Sequence, residues 1–360
     1  MAMETQNKLR ALPTQMIEYG DGVILKRGSS EFRIKGEGSI EAIQLILWMT
    51  STRQPTCQEI CEQFPKTQRP IVITLIDQLA ERRILVPAGS DDSYPSPESH
   101  EEIFYWNFGE SQSSASRIFD NQDIVILGVN YISKHILTSF QESGATNTQI
   151  VDFPLLRNLR LFDERGQLDF KQWKCGNSLP LEYNKWMEDQ TTQHPTCLVA
   201  TSDFGNHEVI RQWNQFCLKS NSHFLPVILQ NTIGYLGPLI IPGETACFEC
   251  ARSRQNSNFD DPHLERATEE KSFEGQTVVG FHPSMPSILG NLAAFELIKF
   301  YSGFLPGSNV GTLIEINLLA TFLTTRRILK NPRCQACGPF LKRSPLELRK
   351  NSIHLQGIKA

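Results

Sequence analysis

Apolar and polar residues alternate in three short runs near the start of the chain, after a loose arm over residues 1–15. The runs are Met16 to Tyr19, Val23 to Lys26 and Glu31 to Lys35. A period of two is that of a half-buried strand. The separators Gly20-Asp21-Gly22 and Gly28-Ser29-Ser30 read as hairpin turns, because Gly tolerates positive φ and Asp or Ser closes local side-chain bonds. The period then lengthens to that of a helix. Ser39 is placed to cap a helix that buries Ile40, Ile43, Leu47 and Trp48. A second helix starts near Pro55, a favoured first-turn residue, and buries Cys57, Ile60, Cys61 and Phe64. A third, Pro70 to Arg83, sets Val72, Leu75, Ile76 and Leu79 on one face and runs into a short strand, Ile84-Leu85-Val86. Three strands, three helices and a closing strand predict a small winged-helix α+β unit over residues 1–87.

Periodicity vanishes over residues 88–101, where Gly89-Ser90-Asp91-Asp92-Ser93 and Pro95-Ser96-Pro97 mark a linker. A helical segment from Glu102 to Phe119 follows, and its aromatics Phe104, Trp106 and Phe108 are predicted to dock on the next domain. That domain, residues 102–340, has an α/β pattern. Asp123 to Gly128 is a buried strand entering a glycine turn, Ile132 to Ser143 a helix, and Gln149 to Asp152 a second strand. Asp152 stands 24 positions after Gly128, where a dinucleotide fold keeps the acid that binds a ribose. The turn itself reads Gly128-Val129-Asn130-Tyr131-Ile132-Ser133, so Asn and Ser replace the glycines that let a backbone approach phosphates. Asp169 to Gln190, rich in Trp, reads as an excursion from the sheet. Strands resume at Cys197 to Asp203, which ends in polar residues at its carboxyl edge, where open α/β sheets keep their sites, and at Phe224 to Gln230, with an amphipathic helix from Glu208 to Ser220 between them.

Composition adds few constraints. Hydrophobic residues at 40% and charged residues at 21% are ordinary for a soluble globular protein. The formal net charge of −4 offers no electrostatic reason to expect a nucleic acid, and the third helix sets Asp77 and Glu81 against Arg82 and Arg83, which leaves no basic recognition face. No apolar run reaches the length of a membrane span. Nine cysteines, an odd number, with no signal segment point to a reducing cytoplasm. Four of them carry chemistry. Cys247-x-x-Cys250 is answered 84 positions later by Cys334-x-x-Cys337. Two such knuckles supply the four thiolates of a closed tetrahedral Zn²⁺ site with no position left for a catalytic water. The long gap makes this a staple between remote segments.

The strand, then Gly237-Pro238, then Pro242-Gly243-Glu244-Thr245-Ala246-Cys247-x-x-Cys250, the helix Pro286 to Gly303 and the second knuckle together resemble the ThiF and MoeB group of ubiquitin-activating-type adenylyltransferases. The resemblance covers about Phe104 to Pro339. The unit before it resembles the PqqD-like elements that bind leader peptides of ribosomally made, modified peptides. In that family the leader adds as a strand beside the third strand and third helix, which implies a lining of Phe32, Arg33, Ile34, Ile73, Ile76 and Gln78. The combination is similar to the ThiF-like partner proteins of azoline-forming cyclodehydratases and to microcin-maturation adenylyltransferases. The first likeness implies a leader-presenting subunit without catalytic residues of its own. A YcaO-type ATPase on a separate chain would phosphorylate the precursor's amide oxygen, so that Cys, Ser or Thr side chains cyclise to thiazoline or oxazoline rings. The second implies ATP and Mg²⁺ on this chain, with Gly128, Asp152 and Arg160 at the nucleotide. Arg157-Asn158-Leu159-Arg160 echoes the active families, whereas the lost glycines and the Phe153-Pro154 that follow Asp152 do not. ATP on this chain is therefore not expected. The resemblance further implies a homodimer through the ThiF-like domain. Residues 341–360, with Lys342, Arg343, Arg349 and Lys350, read as a basic tail, and 265–271 as a charged stretch of the kind that crosses active sites in this group.

Overall fold

The computed structural model describes residues 7–36, 38–88, 100–108, 110–173, 175, 179–189, 194–257, 261, 263–264, 267 and 279–338. Most of the linker, nearly all of 265–271 and the tail lie outside them. The chain divides into two units, residues 1–115 and 116–360.

The first unit holds β1 (Leu9–Ala11), β2 (Gln15–Tyr19), β3 (Gly22–Arg27), β4 (Ser30–Lys35), α1 (Ser39–Thr52), α2 (Cys57–Glu62), α3 (Arg69–Glu81), β5 (Leu85–Pro87) and α4 (His100–Trp106). The alternating runs form an antiparallel sheet in the order β2-β3-β4. The two-residue turns place positive φ at Gly20 and Gly28, their first central positions, as turns matched to strand twist require. Alternation drives Val23 and Leu25 into a core with Ile43, Ile46, Ile76 and Leu79. Three local expectations change. The α1 cap is Gly38, in left-handed backbone, and not Ser39. The α2 start is set by a capping box between Thr56 and Glu59, one residue past Pro55. Part of the arm read as loose is β1, which pairs antiparallel with β5 through Leu9–Pro87 to Ala11–Leu85, because Leu9 is a core residue.

The predicted helix 102–119 is two helices, α4 and α5 (Gln112–Asp120). The fully buried Glu102 joins them by accepting from Trp106 Nε1 at 2.6 Å and from the Gln112 backbone N–H at 2.7 Å. The buried Arg27 donates to the Trp106 carbonyl at 3.1 Å. α4 thus belongs with the first unit, against the expectation that it begins the second domain.

The second unit contains β6 (Ile124–Leu127), α6 (Tyr131–Glu142), β7 (Thr148–Asp152), α7 (Phe170–Trp173), β8 (Leu181–Glu182), α8 (Tyr183–Asp189), β9 (Cys197–Ser202), α9 (His207–Ser220), β10 (His223–Gln230), β11 (Ile233–Leu236), α10 (Phe248–Asn256), α11 (Ser284–Ser302), β12 (Thr312–Asn317) and β13 (Phe322–Arg327). Its sheet runs β13-β12-β11-β10-β9-β6-β7-β8. The pairs from β10 through β9, β6 and β7 to β8 are parallel, and those among β10, β11, β12 and β13 antiparallel. Central β6 and β9 are buried at every position, as strands covered on both faces must be. The stretch 169–190 is no excursion from the core. Trp186 packs with Phe153 and Trp213, because large aromatic area is stabilised by burial. Among the described residues no helix is long and apolar enough to cross a membrane.

α11 crosses α6 at Gly290. A Cβ there would stand 2.8 Å from His135 Cβ and 2.8 Å from the Ile132 carbonyl oxygen. Backbone cannot yield as a flexible side chain can. Gly290→Val should therefore destabilise the protein by about 2 kcal/mol or more, read as a lower denaturation midpoint. A midpoint equal to that of the unmodified protein would show that the helices do not approach so closely.

Candidate functional site

The two knuckles meet in the second unit. Cys247 stands at the start of α10 and Cys250 in its first turn, while Cys334 and Cys337 lie on the chain beyond β13. That chain is held against α10. Lys330 Nζ donates to the Gly243 carbonyl, Arg254 reaches the Leu329 carbonyl at 3.3 Å, and the Asn331 backbone N–H donates to Cys250 Sγ at 3.4 Å. The sulfurs lie 3.8 Å apart for Cys247 and Cys250, 3.6 Å for Cys247 and Cys334, and 3.5 Å for Cys250 and Cys337. All four lie within 4.8 Å of one another.

A tetrahedron with metal–sulfur bonds of about 2.3 Å has sulfur–sulfur edges of roughly 3.8 Å. A disulfide would need about 2.05 Å. The spacing fits four thiolates around one ion. The protons tell the same story. Donation from Cys247 and Cys337, with the Asn331 N–H, pulls the Cys250 thiol far down, while Cys247 is pushed up because it keeps the proton it shares with Cys250. A divalent cation would hold all four as thiolates. The four-cysteine cluster can thus hold a metal such as zinc. Three of the sulfur residues are buried and Cys337 half-buried. All ligands being protein sulfur, the site suits a structural role.

A second constellation stands at the carboxyl edges of β6, β7 and β9. Gly128 leaves β6 at φ +100°, and a Cβ on it would meet Leu156 Cβ at 2.8 Å and Asn130 Nδ2 at 3.0 Å. Asn130 caps α6 through a reciprocal pair with Ser133. Its amide also donates to the Leu156 carbonyl at 3.2 Å and to the Thr201 carbonyl and hydroxyl at 2.9 Å each. Asn130 and Leu156 thus crowd Gly128 closely enough that no side chain fits there. Asp152 is engaged as well. Arg157 grips it in a bidentate pair at 2.6 and 2.7 Å, and the same guanidinium lies 4.8 Å over the Phe162 ring. Arg160 is exposed, and its backbone N–H bonds Asn158 Oδ1 at 3.1 Å.

Asp203, which the sequence placed at the polar end of its strand without assigning it a role, follows β9 fully buried. It accepts from the Tyr131 backbone N–H at 2.9 Å and from Asn158 Nδ2 at 3.0 and 2.9 Å. Burial pushes its carboxyl up to about 6 in spite of those donors and of Arg160 nearby. A polar pair ending a wholly apolar strand, Ser202-Asp203, was the available signal.

In the first unit, Phe32, Arg33 and Ile34 lie on β4, the edge strand of its sheet. Gln78 is exposed on α3 and Ile73 is 45% exposed. Ile76 has no exposed surface and supports the core, so it cannot line a peptide. His282 makes a local bond to Ser284 Oγ at 2.8 Å, and His207 is buried against Phe248.

The ThiF family pattern matches residues 178–336. HesA of Leptolyngbya boryana is 29% identical over 125 residues, 35% of this chain and 39% of its own length, so the match spans well under half of that relative. In fold, the chain is similar to E. coli MccB solved with ATP (TM-score 0.63, 18% identity, 92% of this chain and 99% of that one). MccB solved with MccA gives a TM-score of 0.64 at 18% identity over the same shares. A heterocyclase in complex with substrate and cofactor gives 0.60 at 17% identity, covering 92% of this chain and 40% of that one. The α/β unit with the cysteine cluster is thus ThiF-like, and the likeness in fold extends over the small α+β unit before it.

Elemental analysis of the purified chain should find one Zn²⁺ per polypeptide. Cys334→Ser should lose it and lower the melting temperature by roughly 10 °C or more, since metal-binding energy at such a site is folding energy. Wild-type protein that is metal-free and melts unchanged after chelation would contradict the assignment.

Proposed function

We propose that this protein binds the leader of a ribosomally synthesised precursor peptide on its N-terminal unit and presents it to a YcaO-type, ATP-dependent cyclodehydratase on a separate chain, which forms thiazoline or oxazoline rings. On this reading the ThiF-like unit is a scaffold stapled by zinc. The observation that carries it is the closed cradle: Leu156 and Asn130 occupy the space over Gly128, and Arg157 holds Asp152. Phosphate approach depends on open backbone N–H groups and ribose binding on a free carboxylate. A nucleotide would have to displace both sets of contacts. The likeness in fold to a heterocyclase supports the same reading.

A second reading, an adenylyltransferase acting on a peptide, is favoured by one feature. Asp203 and Asn158 form a buried polar pair at the sheet's carboxyl edge with Arg160 nearby, in a fold shared with MccB solved with ATP. The two readings part on a direct assay. Full-length protein incubated with Mg²⁺, ATP and a leader-bearing precursor should bind the peptide, read by fluorescence polarisation, and should release neither AMP nor pyrophosphate. AMP formation by the chain alone would overturn the first reading in favour of the second.

A further inference from the structure

The contacts of α3 and β4 define a groove more closely than their sequence does. β4 is the outer strand of the order β2-β3-β4. The turn at Gly28-Ser29 closes on the pair Arg27–Ser30. In an antiparallel ladder closed this way, Ser30, Phe32 and Ile34 direct their backbone groups to β3, and Glu31, Arg33 and Lys35 direct theirs to the open edge. Phe32, Ile34 and Leu75 are each partly buried against the same core.

The Arg82 guanidinium lies 5.4 Å from the Phe32 ring centroid. Arg82 continues the helical bonding of α3, its N–H reaching the Gln78 carbonyl at 3.1 Å. The stacking contact therefore fixes which flank of α3 looks toward the strand. At about 100° per residue, Ile71, Leu75 and Gln78 fall in one stripe with Arg82. Ile73 falls on the opposite side of the helix. The lining is thus Ile71, Leu75, Gln78 and Arg82 facing Phe32 and Ile34, in place of Ile73 and Ile76. Ile71 is 70% exposed, an exposure that a docked apolar side chain would relieve. The stripe passes from aliphatic through amide to cation and carries no carboxylate.

We propose that this groove selects an extended peptide with apolar side chains at alternate positions and a carboxylate beside them, the carboxylate pairing with Arg82 as the peptide adds to the edge of β4. The proposal rests on the reading of the N-terminal unit as a leader-binding element and names the chemistry of the leader. Charge complementarity selects the occupant. Arg82 is the one charged residue of the stripe, Arg33 on the other face of the sheet lying 4.9 Å over the Tyr19 ring, and a guanidinium on a ring gains by exchanging it for a bidentate carboxylate. The released Phe32 ring then receives an apolar side chain. Strand addition supplies affinity through backbone bonds, and alternate pockets supply register.

The test presents full-length protein with a positional-scanning library of capped dodecapeptides. Apolar residues should be enriched at alternate positions, with Asp or Glu preferred over Lys or Arg at a neighbouring position by about tenfold, the worth of one charge pair in a partly exposed groove. Arg82→Glu should invert that charge preference and keep the apolar alternation. Arg33→Pro, which removes one N–H from the open edge, should weaken every selected peptide. If it unfolds the unit, Ile71→Glu, at an exposed position, reports on the same groove. A charge preference unchanged by Arg82→Glu, with binding still lost on Arg33→Pro or Ile71→Glu, would overturn the acidic selection and leave the groove standing. Selected peptides that bind these groove variants as they bind the wild type, or a library from which nothing is enriched, would overturn both.

Discussion

Three buried asparagine amides hold down the segment that crosses the carboxyl edge of the central sheet, and the character of the second unit depends on them. Asn130 donates to the Leu156 carbonyl, Asn206 to the Leu155 carbonyl at 2.8 Å, and Asn158 to Asp203, while the Asn158 backbone N–H reaches the Val129 carbonyl at 2.9 Å. A buried amide N–H without an acceptor costs about 1–3 kcal/mol, so these three nitrogens favour one arrangement in which each finds an acceptor, although Asn206 Oδ1 is left without a partner. That arrangement places Leu156 over Gly128. On the proposed reading, the segment so held closes this edge to a ligand.

The cysteine cluster lies on the same structural path. α10, which carries two of the sulfurs, is tied to α9 by Arg211 to Glu249 at 2.6 Å and by the Phe248 backbone N–H to Asn214 Oδ1 at 3.0 Å. α9 begins at the Asn206-His207 corner, with Asn206 in left-handed backbone. The metal site and the closed edge are thus connected through packed helices. A cation held by the cluster would fix α10 and with it steady the corner from which Asn206 reaches Leu155.

Much of this was legible in the residues. Period-two alternation placed the β2–β4 hairpins to within a residue, because one face of that sheet is buried and register follows from burial. The cysteine spacing identified the cluster, since thiol pairs at a turn have few other uses. What escaped notice depended on long-range partners. β1 looked unstructured because three residues with one core leucine carry no period. The continuous pattern from Glu102 to Phe119 hid a break that Glu102 stabilises through contacts of one helix with the next. Asn130 read as a defect in a glycine fingerprint, and only its bonds to Leu156 and Thr201 reveal a replacement for it. Ile76 and Ile73 could not be separated from Ile71 and Leu75 until Arg82 on Phe32 fixed the orientation of α3.

On the proposed reading this edge is closed to nucleotide while the fold around it is kept. Hydrogen exchange of the full-length, zinc-loaded chain with and without millimolar Mg²⁺ and ATP measures this directly, amide by amide. Unchanged exchange across Gly128 to Ser133 and Arg157 to Arg160 is predicted. Saturable protection of those amides on adding ATP would contradict the account.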